Sequence, residues 1–143
     1  MLLPAGYPHN SFALYLKHGK MKNKKTIYLT ATGIFCLWMI ANAYFYLTSE
    51  EAKGICAHFG FPGYLRVELA FAKIIGVAIL LLPAAKGRLK EWAYAGFTIT
   101  VISGFIAHIC SGDTLLSSSS ALIALAILLT SYFNYHKLKN ITK

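Results

Sequence analysis

Four apolar stretches, Ile27 to Thr48, Leu65 to Pro83, Trp92 to Cys110 and Leu115 to Phe133, divide the chain, and the polar segments around them alternate in charge. A hydrocarbon core of about 30 Å is crossed by about 20 helical residues, each adding about 1.5 Å of rise, so each stretch is long enough to span. Lys17, Lys20, Lys22, Lys24 and Lys25 precede the first stretch, Lys86, Arg88 and Lys90 separate the second from the third, and Lys137, Lys139 and Lys143 follow the fourth. Lys53 alone falls in an intervening loop of the other set. Cytoplasmic segments retain Lys and Arg, so both termini are expected inside. The predicted fold is all-α: a polytopic transmembrane antiparallel four-helix bundle, N-in and C-in.

A chain of 143 residues that is 57% hydrophobic and 13% charged makes one compact domain whose core is shared between protein and lipid. A net charge of +9 would point to nucleic acid in a soluble protein. Here the cations are dispersed over three cytoplasmic segments, where they hold orientation and touch anionic head groups. No basic, aromatic-interleaved surface remains for nucleic acid. The first span can serve as an uncleaved targeting element. Residues 1–20 have a short apolar run near Pro4, Gly6 and Pro8 that cannot span and would make a poor helix. They are expected to be an over-extended start or a loose cytoplasmic tail, with the transmembrane domain running over 21–143.

Turn signals mark the other boundaries. Gly60-Phe61-Pro62-Gly63 precedes the second span, Pro83 ends it, and Gly112-Asp113 forms a tight external connection. The segment Ala84 to Glu91 is too short to separate its flanking helices, which are therefore antiparallel neighbours. Tyr44, Tyr46, Phe59, Phe61 and Tyr64 gather at the outer boundary, and Tyr28, Trp92, Tyr94, Tyr132 and Tyr135 at the inner one, as amphipathic rings do at head-group depth. Gly96, Thr100, Gly104 and Ala107 form a stripe of small residues on span three, and Ser117, Ala121 and Ala124 a similar surface on span four. Both read as helix-packing surfaces.

The polar residues at membrane depth carry the functional information. Counting inward from Leu65, Lys73 lies about 12 Å deep and Glu68 only about 4 to 5 Å. A mid-membrane ammonium costs at least about 2.5 to 3.5 kcal/mol on an insertion scale, so Lys73 must snorkel, pair or line a wet cavity, and an interior position is expected. Glu68 is a poor partner for it, because five residues separate the two by about 140° around the helix. His108 runs at the depth of Glu68, and a contact between them is expected if spans two and three are neighbours. Trp38, Asn42 and Tyr46 share one face of span one at spacings of four, with Asn42 about 9 Å below the outer boundary. An unpaired amide in hydrocarbon costs several kcal/mol, so Asn42 needs partners. Trp38, Asn42, Tyr46, Glu68, Lys73 and His108 thus form a candidate polar pocket open to the outside; interhelical hydrogen bonding without a ligand is the alternative. Glu91 is placed to favour the N-terminus of span three.

Cys56 and Cys110 lie at the external side and Cys36 in mid-membrane. A Cys56 to Cys110 disulfide is compatible with that topology, as is a pair of free thiols. No zinc or haem spacing, phosphate loop or nucleophile elbow is present, so no metal site is expected.

GFPGYLRVELAFAKIIGVAILLLP, Gly60 to Pro83, followed by LKEWAYAGFTITVISGFIAHICSGD, Leu89 to Asp113, resembles the DoxX-like family of small bacterial membrane proteins. The resemblance covers Met21 to about Lys139. Its most specific parts are Pro62 and Tyr64 of the turn, Lys73 and Gly76, the Glu91-Trp92 and Tyr94 run, and His108 with Asp113. It implies a four-helix transmembrane bundle in the bacterial cytoplasmic membrane; the wider group is associated with thiosulfate:quinone oxidoreduction, methylamine dehydrogenase maturation and oxidative-stress complexes. Lys73, Glu91, His108 and Asp113 are the matching residues that could act here, and no vicinal thiol pair is present for dithiol chemistry.

Two function classes follow, and whether the chain is an enzyme stays open between them. In one, the protein is a membrane subunit of a redox system that binds a quinone or similar lipophile, with His108 and Glu68 handling protons and Lys73 contacting a carbonyl oxygen. In the other it is a structural or assembly partner, with membrane lipid, a soluble or membrane redox protein, or a second copy of itself as neighbour. A small transporter is a weaker third class, since the spans show no internal repeat.

Overall fold

The computed structural model describes residues 9–141 as five helices: α1 (His9–Thr48), α2 (Glu50–His58), α3 (Gly63–Leu81), α4 (Arg88–Cys110) and α5 (Leu115–Ile141). The four long helices form a ring in which α1 touches α3 and α5, and α4 touches the same two from the opposite side. Short α2 lies against α1 and α3. The antiparallel pairing of α3 and α4 agrees with their short connection.

Three helical segments, Met21–Thr48, Arg88–Cys110 and Leu115–Asn140, are long and apolar enough to cross a membrane. Sequence reading counts a fourth. At 19 residues α3 has the length, but Arg66, Glu68 and Lys73 all lie within it and lower its apolar character. Large side chains including Leu37, Ile75, Ile99, Ile106 and Leu116 are exposed around the outside of the ring, as in a protein whose solvent there is lipid.

Two segments expected to be irregular are helical. Helix α1 is already formed at His9, the first described residue, so its first described turns run through the supposed tail; Met1 to Pro8 lie outside the described residues. From His9 to Thr26 no proline occurs and only Gly19 interrupts the helical run. The supposed loop after span one holds α2. Ser49 caps it, its Oγ accepting from the amides of Glu51 (3.1 Å) and Ala52 (3.4 Å), and Glu50 and Glu51 add charge that suits a helix N-terminus.

The core fills the inner part of the ring, where Phe35, Val77, Leu80, Phe97 and Leu128 are buried together. Phe97 meets Phe35 edge-on at 5.0 Å and presses its ring tip against Gly76, where an added Cβ would stand 2.7 Å from it. Only glycine permits that approach.

Candidate functional site

Toward the end of the ring that carries α2, the core gives way to a cavity of about 440 Å³. Trp38, Asn42 and Tyr46, one face of α1, line one wall; Lys73 enters from α3, and His108 stands at the end of α4. Five of the six expected pocket residues therefore meet. The sixth does not: Glu68 is exposed on α3, lines no part of the cavity, and has no hydrogen bond or ion pair among the described residues.

Lys73 is only 6% exposed. Its Nζ donates to Asn42 Oδ1 and stands 3.8 Å from the centroid of the Tyr46 ring, a cation–π contact. The ammonium is thus interior, as expected. It has no carboxylate within ion-pair distance among the described residues. On the same face of α3, one nitrogen of Arg66, Nη1, is buried without a hydrogen-bond partner. Positive charge in this region is left for something else to balance.

His108 has a different partner from the expected one. Its Nδ1 lies 2.7 Å from Asp113 Oδ2, while His58 Nε2, from the last turn of α2, lies 3.1 Å from Asp113 Oδ1. The backbone explains how. After α4 the chain turns through Gly112 at φ +76, the Gly112 amide donates to Ile109 O (3.1 Å) and the Asp113 amide to His108 O (3.0 Å). This left-handed C-terminal turn needs a residue that tolerates positive φ, and it folds Asp113 back over His108. A matching pair of bonds, Gly60 to Ala57 (2.9 Å) and Phe61 to Cys56 (2.8 Å), closes α2 and brings Phe59 and Phe61 over the cavity. The His108 hydrogen bond, helped by His58, holds the Asp113 carboxyl below the usual carboxylate range against a smaller opposing effect of desolvation. The arrangement joins α2 to the α4–α5 turn through a carboxylate; among the described residues no group of three or more His, Cys, Asp or Glu could hold a metal ion.

The family profile of the DoxX-like family matches residues 30–133. The chain belongs to the DoxX-like family. No curated protein and no solved structure matches it. The matched segment of this DoxX-like protein contains both the cavity and the His–Asp–His contact.

The other motif residues divide by surroundings. Pro62 stands at the N-cap of α3, Gly76 receives Phe97, and Tyr64 and Trp92 are exposed at 72% and 78%, as interfacial aromatics should be. Glu91 lies in the first turn of α4 as expected, and also 2.9 Å from His136 Nε2 in a contact of ion-pair distance without hydrogen-bond alignment. Tyr94 is buried rather than interfacial. Its hydroxyl meets Ser131 Oγ at 2.7 Å, and Ser131 meets Thr32 Oγ1 at 2.6 Å. Thr32 spends its proton on Tyr28 O at 2.7 Å, so the order of donation is Tyr94 to Ser131 to Thr32 to the backbone.

Lys90 is the residue that sequence reasoning missed. Grouped there with the cytoplasmic loop charges, it is 7% exposed and donates to Leu80 O and Tyr28 Oη, both at 3.1 Å. The signal was its spacing from Ala93, Tyr94, Phe97 and Val101, which are the buried face of α4. The small-residue stripe is corrected too. A Cβ added at Gly96 or Gly104 would meet nothing within 4 Å, so these glycines border open space instead of a packed helix. Cys36, Cys56 and Cys110 are all free; Cys56 is buried and Cys110 exposed, and no disulfide joins them.

Proposed function

We propose that the outward cavity binds the oxygen-bearing head of a quinone-type lipophile, and that the protein serves as a membrane subunit of a redox system in the bacterial cytoplasmic membrane. The observation that carries this reading is Lys73: a buried ammonium with one amide and one ring face for company, lining a cavity large enough for a small head group. It can donate to a carbonyl oxygen and stabilise negative charge that develops there on reduction. His108, oriented through Nδ1 by Asp113, presents its other nitrogen for proton exchange. Reduction to the quinol takes electrons and protons in equal number, and the electrons come from a soluble or membrane redox partner.

In this reading α3 is a fourth span, with Lys73 turned inward, and the alternating cations set both termini in the cytoplasm. Cys56 and Asp113 are then outside. Purified protein titrated with a tailless benzoquinone should bind it, and Lys73→Met should weaken binding about tenfold or more while unfolding at a similar temperature. Absence of binding to the unaltered protein removes the quinone reading. A specific observation supports an assembly role alongside it: Glu68, exposed on α3 without a partner among the described residues, is a carboxylate available to another membrane subunit or a second copy. Charge-reversal at Glu68 that leaves co-purification of partners and oligomeric size unchanged would exclude that role.

A further inference from the structure

A second space adjoins the outer cavity. A groove of about 340 Å³ runs along the seam between α3 and α4, bordered by Ile75, Gly76, Trp92, Gly96 and Phe97. Lys73 and Thr100 line both spaces, so the two adjoin at the buried lysine. Of the four side-by-side pairings of long helices, α3 with α4 is the loosest. Along α4, Gly96 and Thr100 floor the groove and Thr100 and Gly104 floor the cavity, with no side chain of another helix filling the space beside either glycine. From Gly104 to Trp92 this floor measures about 18 Å by helix rise.

We propose that cavity and groove are one binding site for a tailed amphiphile admitted sideways from the bilayer between α3 and α4. The polar head, bearing a carbonyl or carboxylate oxygen, rests against Lys73 and Asn42; the hydrocarbon tail lies along the seam past Thr100, Gly96 and Gly76. Three observations converge on this occupant. The ammonium has no carboxylate partner among the described residues and can take an oxygen-rich head. The groove below it is apolar but for Lys73 and Thr100, and suits a chain rather than a second polar group. The seam opens toward the lipid side, where Ile75 and Trp92 are 60% and 78% exposed. The inference rests on the reading of the outer cavity as a head-group site and adds the tail and the route.

The test uses full-length protein in lipid nanodiscs and three probes: a tailless benzoquinone, the same head with a long alkyl tail, and a long-chain fatty acid. Gly96→Leu puts a side chain into the groove, and its Cβ meets no neighbour within 4 Å. It should weaken the tailed quinone at least tenfold and leave the tailless one unchanged. Equal binding of the tailed quinone to both proteins, or no advantage of tailed over tailless in the unaltered protein, overturns the proposal. If no quinone binds but the fatty acid does, and Gly96→Leu abolishes that binding, the tail groove stands and the quinone head falls. Should Gly96→Leu unfold, a photoreactive group at the tail end decides: labelling of α4 around Trp92 to Phe97 supports the groove, and labelling confined to the outer mouth refutes it.

Discussion

Lys73 and Lys90 are buried almost equally, at 6% and 7% exposure, yet they sit in opposite kinds of surroundings. Lys90 is wrapped by the closed half of the ring: a backbone carbonyl of α3 and a tyrosine hydroxyl accept from it, and the rings of Tyr28 and Tyr135 stand 5.8 and 5.5 Å away. It closes the end of α3, whose last carbonyls lack helical partners. Lys73 faces space. One side-chain amide and one ring hold its ammonium, both from α1, and the side chain lines the cavity. Equal burial thus describes a structural clasp in one case and an open valence in the other; partner type separates them where depth does not.

The strongest way to break this contrast is to exchange both lysines for methionine. Lys90→Met orphans Leu80 O and Tyr28 Oη inside a filled region and should lower stability by about 1–3 kcal/mol. Lys73→Met frees an amide that faces a cavity, so thermal unfolding in detergent should move by less than about 1 kcal/mol while quinone affinity falls about tenfold or more. Equal stability losses would show that the two lysines do the same work. Gly76→Ala comes next. Its Cβ meets the Phe97 ring where the core borders the groove, and overpacking there should cost about 1–3 kcal/mol, measurable as a lower unfolding temperature with the affinity for a tailless probe retained.

Tyr94→Phe sharpens the picture of the closed half. It removes the first donor of the hydroxyl chain but leaves Ser131 bonded to Thr32, so the expected loss is about 0.5–1.5 kcal/mol without any effect on the cavity. The smallest effect belongs to the outer contact. The Asp113 carboxyl titrates below its ordinary range, so the stabilisation it gives is complete above that range and is lost as pH falls through the lower folded value. Burial pushes the Cys56 thiol up and slows its reaction, whereas Cys110 is exposed. The ratio of Cys56 to Cys110 modification by a dipyridyl disulfide should therefore rise in acid, and Asp113→Asn should raise it at neutral pH and flatten its pH dependence. An unchanged ratio in both conditions would mean that α2 is held by its apolar contacts alone.

What the sequence made legible follows from helix geometry. Spacing by four puts Trp38, Asn42 and Tyr46 on one wall, and the cost of a lysine far from the ends of an apolar stretch makes an interior position the expectation for Lys73 over snorkelling. The Glu68 to His108 contact failed because depth says nothing about direction around the helix: once Lys73 faces the interior, a residue about 140° away faces out. His108 meets Asp113 through a turn whose signal, glycine just beyond the helix, marks a connection in the sequence without showing that it folds back. Helix α2 was announced by Ser49 before Glu50 and Glu51, but it is too short to show an apolar period. The small-residue stripe on α4 misled because small side chains mark a close neighbour or a void equally well.

The two outer turns have a consequence for how such a site can change over time. Each is closed by main-chain hydrogen bonds, with Gly60 and Gly112 carrying the positive φ, so the backbone asks nothing of the side chains displayed beside them. Phe59, Phe61 and Asp113 are in that sense interchangeable fittings on two fixed mounts. The rim of the chamber can be re-specified for a bulkier, more polar or differently charged guest by single substitutions, while the helices below and the lysine at the junction keep their places.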